Sequence, residues 1–367
     1  MLVIAALTTL VLTGAAGARE RLKVFATQRD FAGFTLTHAK WDSVTKSVVF
    51  DSPQSVEPAV GIVDSPEVGV PATFDHAIVS WNSSTPPGSY LCTYIRVRID
   101  GMWTGWYRMG LWTKDGRPQP RTSFNGQDDE TGRVDTDTLI LKKPADAYRV
   151  RAELCSVDGK TYPALRLLAV SVADTTKTPA DRPFKAAWGK ELAVPELCQL
   201  SVEGGNVWCS PTSTAMVLGY WSAKLKRPEL KMGITETAKG VYDEAWRGTG
   251  NWAFNTAFAG EFRGIRAYVT RFHGVSEIER WIVKGVPVIV SVNYNKLNRR
   301  QTEVGMGHLM VVRGFTRQGN VIFNDPWARL EKGQTVRKIF KREDLEYGWL
   351  GSNGSHGTVY LIYPDTL

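Results

Sequence analysis

Cys209 is the residue whose setting most suggests chemistry. It follows Gly204-Gly205-Asn206-Val207-Trp208 and precedes Ser210-Pro211-Thr212-Ser213, after which the chain turns apolar through Ala215-Met216-Val217-Leu218-Gly219-Tyr220-Trp221. This pattern puts the thiol in the first turn of a helix. Pro211 suits that turn because the N–H it lacks would have no partner there, and the apolar run supplies a face to bury. Unpaired N–H groups and the helix dipole favour a thiolate at such a position. Ten residues upstream, Gln199 offers a side-chain amide. A cysteine nucleophile also needs a base, and the base needs a group to orient it.

Both can be found in one predicted hairpin. His308 follows Gly305-Met306-Gly307 and opens the apolar strand Leu309 to Phe315; the chain turns through Arg317-Gln318-Gly319-Asn320 into Val321 to Pro326, with Asp325 near the end. Antiparallel strands joined by so short a turn bring His308 and Asp325 to the same edge of a sheet. A carboxylate there can hold Nδ1 of the imidazole. Each residue also has a plainer reading. Free cysteine mostly behaves as a small buried hydrophobe, a histidine at a strand start is usually a satisfied surface group, and Asp-Pro commonly ends a strand. The three together favour Cys–His–Asp nucleophilic catalysis.

The surrounding elements agree with that placement. A helix is predicted from Pro211 to about Ala223, a polar–apolar stretch covers Thr235 to Trp246, and a helix from Ser276 to Lys284 opens on the capping-box pattern Ser276-x-x-Glu279. Strands are predicted over Gly285 to Val292, His308 to Phe315, Val321 to Pro326 and Thr358 to Tyr363. Helix first and antiparallel strands after describe an α+β domain over residues 184–367. Residues 21–173 read instead as short strands divided by turn clusters such as Asn82-Ser83-Ser84-Thr85-Pro86-Pro87-Gly88 and Asp158-Gly159, the pattern of an all-β sandwich. The polar, proline-bearing stretch 174–183 is read as the linker between them.

Composition bounds the function. The chain has 367 residues, 43% hydrophobic and 22% charged, enough for two globular domains. Residues 1–18 are apolar and end in Ala16-Gly17-Ala18, so they read as a signal peptide cut after Ala18 and imply a secreted or cell-wall-associated protein with no membrane span in its mature form. The alternative is an N-terminal core segment. The net charge of +8 is dispersed among acidic residues. This suits a solvated surface that could be drawn to anionic wall polymers, and no nucleic-acid-binding motif accompanies it. Of the four cysteines, Cys92 and Cys155 lie in strand-like runs and are the preferred disulfide, with a pair of buried thiols as the alternative. A Cys198–Cys209 bridge would lock the nucleophile.

Trp208-Cys209-Ser210-Pro211-Thr212-Ser213, Gly307-His308-Leu309-x-Val311-Val312-x-Gly314-Phe315 and Asn324-Asp325-Pro326 resemble the C39-like branch of the papain-type cysteine peptidases. The similarity spans about residues 184–367 and extends to Gly250-Asn251-Trp252-x-Phe254-Asn255 and Gly285-x-Pro287-Val288. The first half is similar to the N-terminal region of secreted bacterial members through Ser80-Trp81-Asn82, Trp106-Tyr107-x-Met109-Gly110 and Asp135-Thr136-Asp137-Thr138-Leu139. The resemblance implies an α+β papain-like domain with Cys209 as nucleophile, His308 as general base, Asp325 as orienting acid and Gln199 as an oxyanion-hole donor. It implies a peptide or protein substrate and no cofactor. Many relatives carry glycine where this chain has Ser210, and Cys198 beside Gln199 departs from the pattern.

Two rival readings stand beside this one. One is an acyl transferase or amidase acting on cell-wall peptides, and the other is a non-catalytic protein whose sandwich grips wall polymer. Other motifs are dismissed. Gly159-Lys160-Thr161 ends like a phosphate loop, but Leu154 stands where its first glycine belongs. Ser355 lacks a glycine of a nucleophile elbow. His38, His76, His273 and His356 have no metal-ligand spacing.

Overall fold

The computed structural model describes residues 21–51, 59–177 and 180–367. The signal-peptide reading of residues 1–18 falls outside the described residues, as do Thr178 and Pro179 of the predicted linker. The first half contains strands β1 (Leu22–Phe25), β2 (Thr35–Thr37), β3 (Ala39–Asp42), β4 (Ser47–Phe50), β5 (Ala59–Asp64), β6 (Val68–Ser84), β7 (Ser89–Ile99), β8 (Met102–Trp103), β9 (Tyr107–Trp112), β10 (Gly132–Asp135), β11 (Thr138–Ser156) and β12 (Ala164–Ala173). It departs from the all-β expectation in one turn of helix, α1 (Gln28–Phe31), held by a reciprocal Thr27–Asp30 capping box.

Two long strands organise this half. The C-terminal part of β11 lies between β5 and β7, while its N-terminal part pairs with β10 and β6. Register shifts between Ile140 and Ala147 mark where β11 bends from one array to the other, which is what a β-bulge does at a sandwich corner. Beyond the bend, β6 pairs with β12, which in turn carries β1 and β4. The sequence showed these long strands only as separate short runs, because exposed residues interrupt the apolar pattern of each, 142–144 in β11 and 71–73 in β6.

The second half contains helices α2 (Cys209–Leu225), α3 (Ile234–Val241), α4 (Trp252–Gly260), α5 (Val275–Val283), α6 (Tyr294–Leu297) and α7 (Arg342–Trp349). They flank an antiparallel sheet of β13 (Ile265–Arg271), β14 (Val288–Asn293), β15 (Gly307–Phe315), β16 (Val321–Asn324), β17 (Arg337–Phe340) and β18 (Thr358–Pro364), in the order β13-β18-β14-β15-β16-β17. The predicted α5 forms, but its capping box does not: Gly274 is the N-cap and no side chain caps the end. Glu279 is buried and accepts hydrogen bonds from the Phe184 N–H (2.5 Å), the Trp188 indole (2.8 Å) and Arg342 Nη1 (2.6 Å). A buried carboxylate with three donors, one of them charged, outcompetes a single cap.

The two halves share one core. Trp81 of β6 stacks edge-on against Phe254 of α4 with ring centroids 6.1 Å apart. Asn82 Nδ2 donates to the Ala267 carbonyl (2.6 Å) and its Oδ1 accepts the Ala267 N–H (3.0 Å), so one side chain acts as a strand partner for β13. Trp112 and Thr85 both donate to Glu261 Oε1, at 2.8 and 2.7 Å. Close approach is required here: a Cβ on Gly260 would lie 2.2 Å from Asn82 Nδ2. The stretch read as a linker is also tied down. Asp75 accepts from the Thr175 N–H and hydroxyl, and Asp181 from Arg342 and the Ser276 N–H. Among the described residues, no helix is long and apolar enough to cross a membrane.

Candidate active site

A short 3₁₀ turn, Gln199–Ser201, leads through Gly204 in the left-handed region (φ 78°) into a second turn, Gly205–Val207, and then α2. Gly205 is forced by close approach, since a Cβ there would lie 1.7 Å from the Gln199 carbonyl oxygen. The fold-back lets Gln199 Nε2 donate to the Gly205 carbonyl (2.7 Å). The Gln199 N–H donates to the Pro326 carbonyl (2.9 Å) and Cys198 Sγ to that of Ala328 (3.0 Å). Cys198 thus anchors the loop after Asp325, which accounts for its place beside Gln199. All four cysteines are free thiols, so the preferred disulfide is not formed. Cys92 and Cys155 are hydrogen-bonded neighbours on β7 and β11.

Cys209 is the first residue of α2 and is half-buried. Trp208 precedes it without a side-chain cap, leaving the first N–H groups free toward the thiol. His308 pairs with Val292 near the start of β15, and Asp325 follows the end of β16. The predicted hairpin therefore forms, with a register shift at Arg313, and both residues fall at one edge. His308 Nε2 lies 2.7 Å from Asp325 Oδ1. This corrects the expected use of Nδ1: the carboxylate holds Nε2, and Nδ1 is the nitrogen left to Cys209. The hairpin register fixed the edge but not the ring rotamer. Tyr294 packs edge-on against the imidazole at 4.7 Å.

Asp325 is fully buried yet fully partnered. Its Oδ1 also accepts the Trp327 N–H (2.9 Å), and its Oδ2 accepts from the Tyr294 hydroxyl (2.8 Å) and Lys338 Nζ (2.6 Å). Sequence reasoning missed Tyr294 and Lys338, which come from α6 and β17 and meet Asp325 only through sheet pairing.

The electrostatics follow from these contacts. Burial pushes the Cys209 thiol up, but the hydrogen bond and charge of His308, with the N–H groups of Leu309 and Ser210, hold it below its ordinary value. Burial pulls His308 down, whereas Asp325 and Cys209 together raise it to about 9. Burial works against the Asp325 carboxylate too, and His308 and Lys338 keep it well below the usual range. Both shifts favour the charged forms, thiolate for Cys209 and imidazolium for His308. Ser210 is buried with its hydroxyl 2.9 Å from that of Tyr360, so it packs toward β18.

A cavity of about 680 Å³ opens over these residues and is walled by both halves. Gln199, Cys209 and His308 lie on one side, while His76, Asp135 and Asp137 come from the first half. The half-exposed Trp246 and the exposed Val207 add apolar surface. Such a mixture of apolar wall and few polar groups suits an organic ligand. The dismissed motifs stay outside the chemistry: Asp158 caps the Gly159-Lys160-Thr161 turn, and Ser355, though on the cavity wall, donates to the Ser291 carbonyl. Among the described residues, no three His, Cys, Asp or Glu side chains gather as a metal site.

A thiol at a helix start, a histidine beside it and a carboxylate behind that histidine can carry out nucleophilic acyl chemistry. Residues 18–173 match the family model of the Peptidase C39 N-terminal domain, and residues 191–355 that of the Peptidase_C39 like family. Together these cover most of the chain, which belongs to the C39-like peptidase family. A crystal structure from Bacillus anthracis described as a C39-like peptidase is similar at 17% identity and a TM-score of 0.35, over 47% of this chain and 98% of that one. The Emp46p carbohydrate recognition domain is similar at 11% identity and a TM-score of 0.25, over 39% and 90%. The C-terminal CBM6 of LamC from Zobellia galactanivorans gives 8% and 0.23, over 41% and 98%. At these TM-scores none of the three informs on function. No curated protein matches the chain.

Proposed function

We propose that the protein is a secreted cysteine peptidase that hydrolyses peptide bonds through Cys209, His308 and Asp325. The observation that carries this reading is the hydrogen-bonded series Cys209–His308–Asp325 at the floor of a cavity large enough for several substrate residues. The Cys209 thiolate attacks the carbonyl carbon, and the carbonyl oxygen takes the negative charge. The Cys209 N–H and the second N–H of Gln199 Nε2 receive that oxyanion, one Nε2 proton being committed to Gly205. His308 gives its proton to the leaving amine, whose departure leaves a thioester on Cys209. Neutral His308 then takes a proton from water as the hydroxyl attacks the thioester, which releases the acid and restores the thiolate–imidazolium pair. Asp325 holds the ring and stabilises its charge throughout.

Cys209→Ala, or prior treatment with iodoacetamide, is expected to abolish amide cleavage, a loss of at least about 10⁴-fold in kcat. Hydrolysis that survives both removes the assignment. Mass spectrometry with added amines distinguishes the cell-wall transferase reading, since a transferase yields amine adducts in place of free acids.

A further inference from the structure

The wall of the cavity that carries no proposed catalytic residue has its own unusual group. Arg271, the last residue of β13, lines the cavity with its guanidinium largely buried. Among the described residues it has no carboxylate within ion-pairing distance, and its one side-chain hydrogen bond runs from Nε to the Thr358 hydroxyl at 3.3 Å. Nη1 is buried with no acceptor at all. The contrast with Arg342 is sharp. That arginine is also largely buried but engages Asp181, Glu279 and Glu346. A buried guanidinium left without acceptors loses the water that would have solvated it and gains nothing in return. Such a group is expected where a ligand supplies the missing acceptors.

The neighbours of Arg271 restrict the ligand. His76 from the first half and His356 from the second face each other at 5.8 Å between ring centroids, and both line the same cavity. His76 Nδ1 is 3.0 Å from Asp75 Oδ1, and Asp75 is itself held by Thr175. Burial, then the charges of Arg271 and His76, lower His356 to about 4, so it is a neutral imidazole at physiological pH. Asp137 is close enough to feel Arg271, but its carboxylate is committed to the Trp252 N–H and the Thr138 hydroxyl. With Asp75 and Asp137 nearby, a dianion such as a phosphate is disfavoured about twice as strongly as a monoanion. A carboxylate carries a single charge and accepts N–H bonds from a guanidinium in its own plane.

We infer that Arg271, with His76 and His356 beside it, forms a subsite at the seam of the two halves that recognises a carboxylate on the peptide substrate. The subsite rests on the peptidase reading for its substrate class. It also gives the first half a direct part in selectivity, through His76 and the Asp75 that orients it.

The test uses the full chain and a set of fluorogenic peptides. Each member carries Glu, Gln or Lys at one position around the cleaved bond, with either a free or an amidated C-terminus. Wild-type protein is expected to cleave one carboxylate-bearing member about 10–100-fold faster in kcat/KM than its amide counterpart, the range of a charged hydrogen-bonded contact. Whether Glu/Gln or free/amidated pairs show the difference identifies a side-chain or a terminal carboxylate. Arg271→Gln should bring that ratio close to one, and Arg271→Lys should restore part of it, with thermal melts to confirm that both variants fold. The same peptides titrated onto Cys209→Ala by fluorescence anisotropy report the subsite without turnover. Absence of cleavage by the wild type would therefore count against the peptidase reading while the binding ratio still judged the subsite. Equal binding and cleavage of carboxylate and amide peptides, or a folded Arg271→Gln that keeps the wild-type ratio, overturns the inference.

Discussion

The two walls of the cavity solve the same problem in opposite ways. On the β15–β16 side, every charge has its partner: Asp325 takes four donors, among them His308 and Lys338. On the β13 side, the largely buried Arg271 guanidinium has one hydrogen bond. Satisfied charges fix a geometry before substrate arrives, which is what the proposed chemistry requires. An unsatisfied one stores a cost that only a ligand removes. The difference separates a wall built to react from a wall built to select.

Removing a partner on the satisfied side should therefore have the larger effect. Asp325→Ala leaves His308 and Lys338 without their shared carboxylate. It is expected to lower kcat/KM by about 10²–10⁴-fold and to destabilise the protein by about 3–5 kcal/mol, read from steady-state kinetics and urea unfolding. Loss of rate with unchanged stability would show that Asp325 is not the structural keystone its contacts describe.

The seam itself is the next point of attack. Trp81→Ala empties the contact with Phe254 across the two halves and should cost about 3–5 kcal/mol. Because the core is shared, calorimetry of the wild type should give one cooperative transition that the substitution shifts as a whole. Two separate transitions would mean that the halves are independent and that the cavity between them is loosely held.

How much of this was legible in the sequence depended on distance along the chain. The start of α2 at Cys209 and the hairpin holding His308 and Asp325 were readable because local patterning determines each. Tyr294, Lys338 and Arg271 were not, since α6, β17 and β13 reach the cavity only through non-local pairing. The choice of Nε2 over Nδ1 is a matter of ring rotamer, which hairpin register leaves open. Glu279 misled for the same kind of reason: its spacing from Ser276 fitted a cap, but Phe184, Trp188 and Arg342 converge on it from elsewhere. The seam left a faint signal in Ser80 and Asn82, buried polar residues that flank Trp81 after the apolar run Ala77-Ile78-Val79. Both hydrogen-bond to β13.

A smaller effect follows from pH. The folded value of His308, about 9, lies above its ordinary 6.5. Its contribution to stability is therefore complete below about 6.5 and is lost as pH rises through about 9. Peptidase activity should fall over the same alkaline limb as the imidazolium that protonates the leaving amine disappears, and His308→Gln should erase that stability loss.

The state of Cys209 tests the central claim most directly. Its rate of alkylation by iodoacetamide, followed by mass spectrometry of the adduct from acid to alkaline pH, should already be high at pH values where an ordinary thiol is protonated. In His308→Ala that low-pH reactivity should vanish and the rate should rise only near the value of a free thiol, about 8.5. A wild-type profile that titrates near 8.5, and that His308→Ala leaves in place, would contradict the thiolate–imidazolium pair and the catalytic reading built on it.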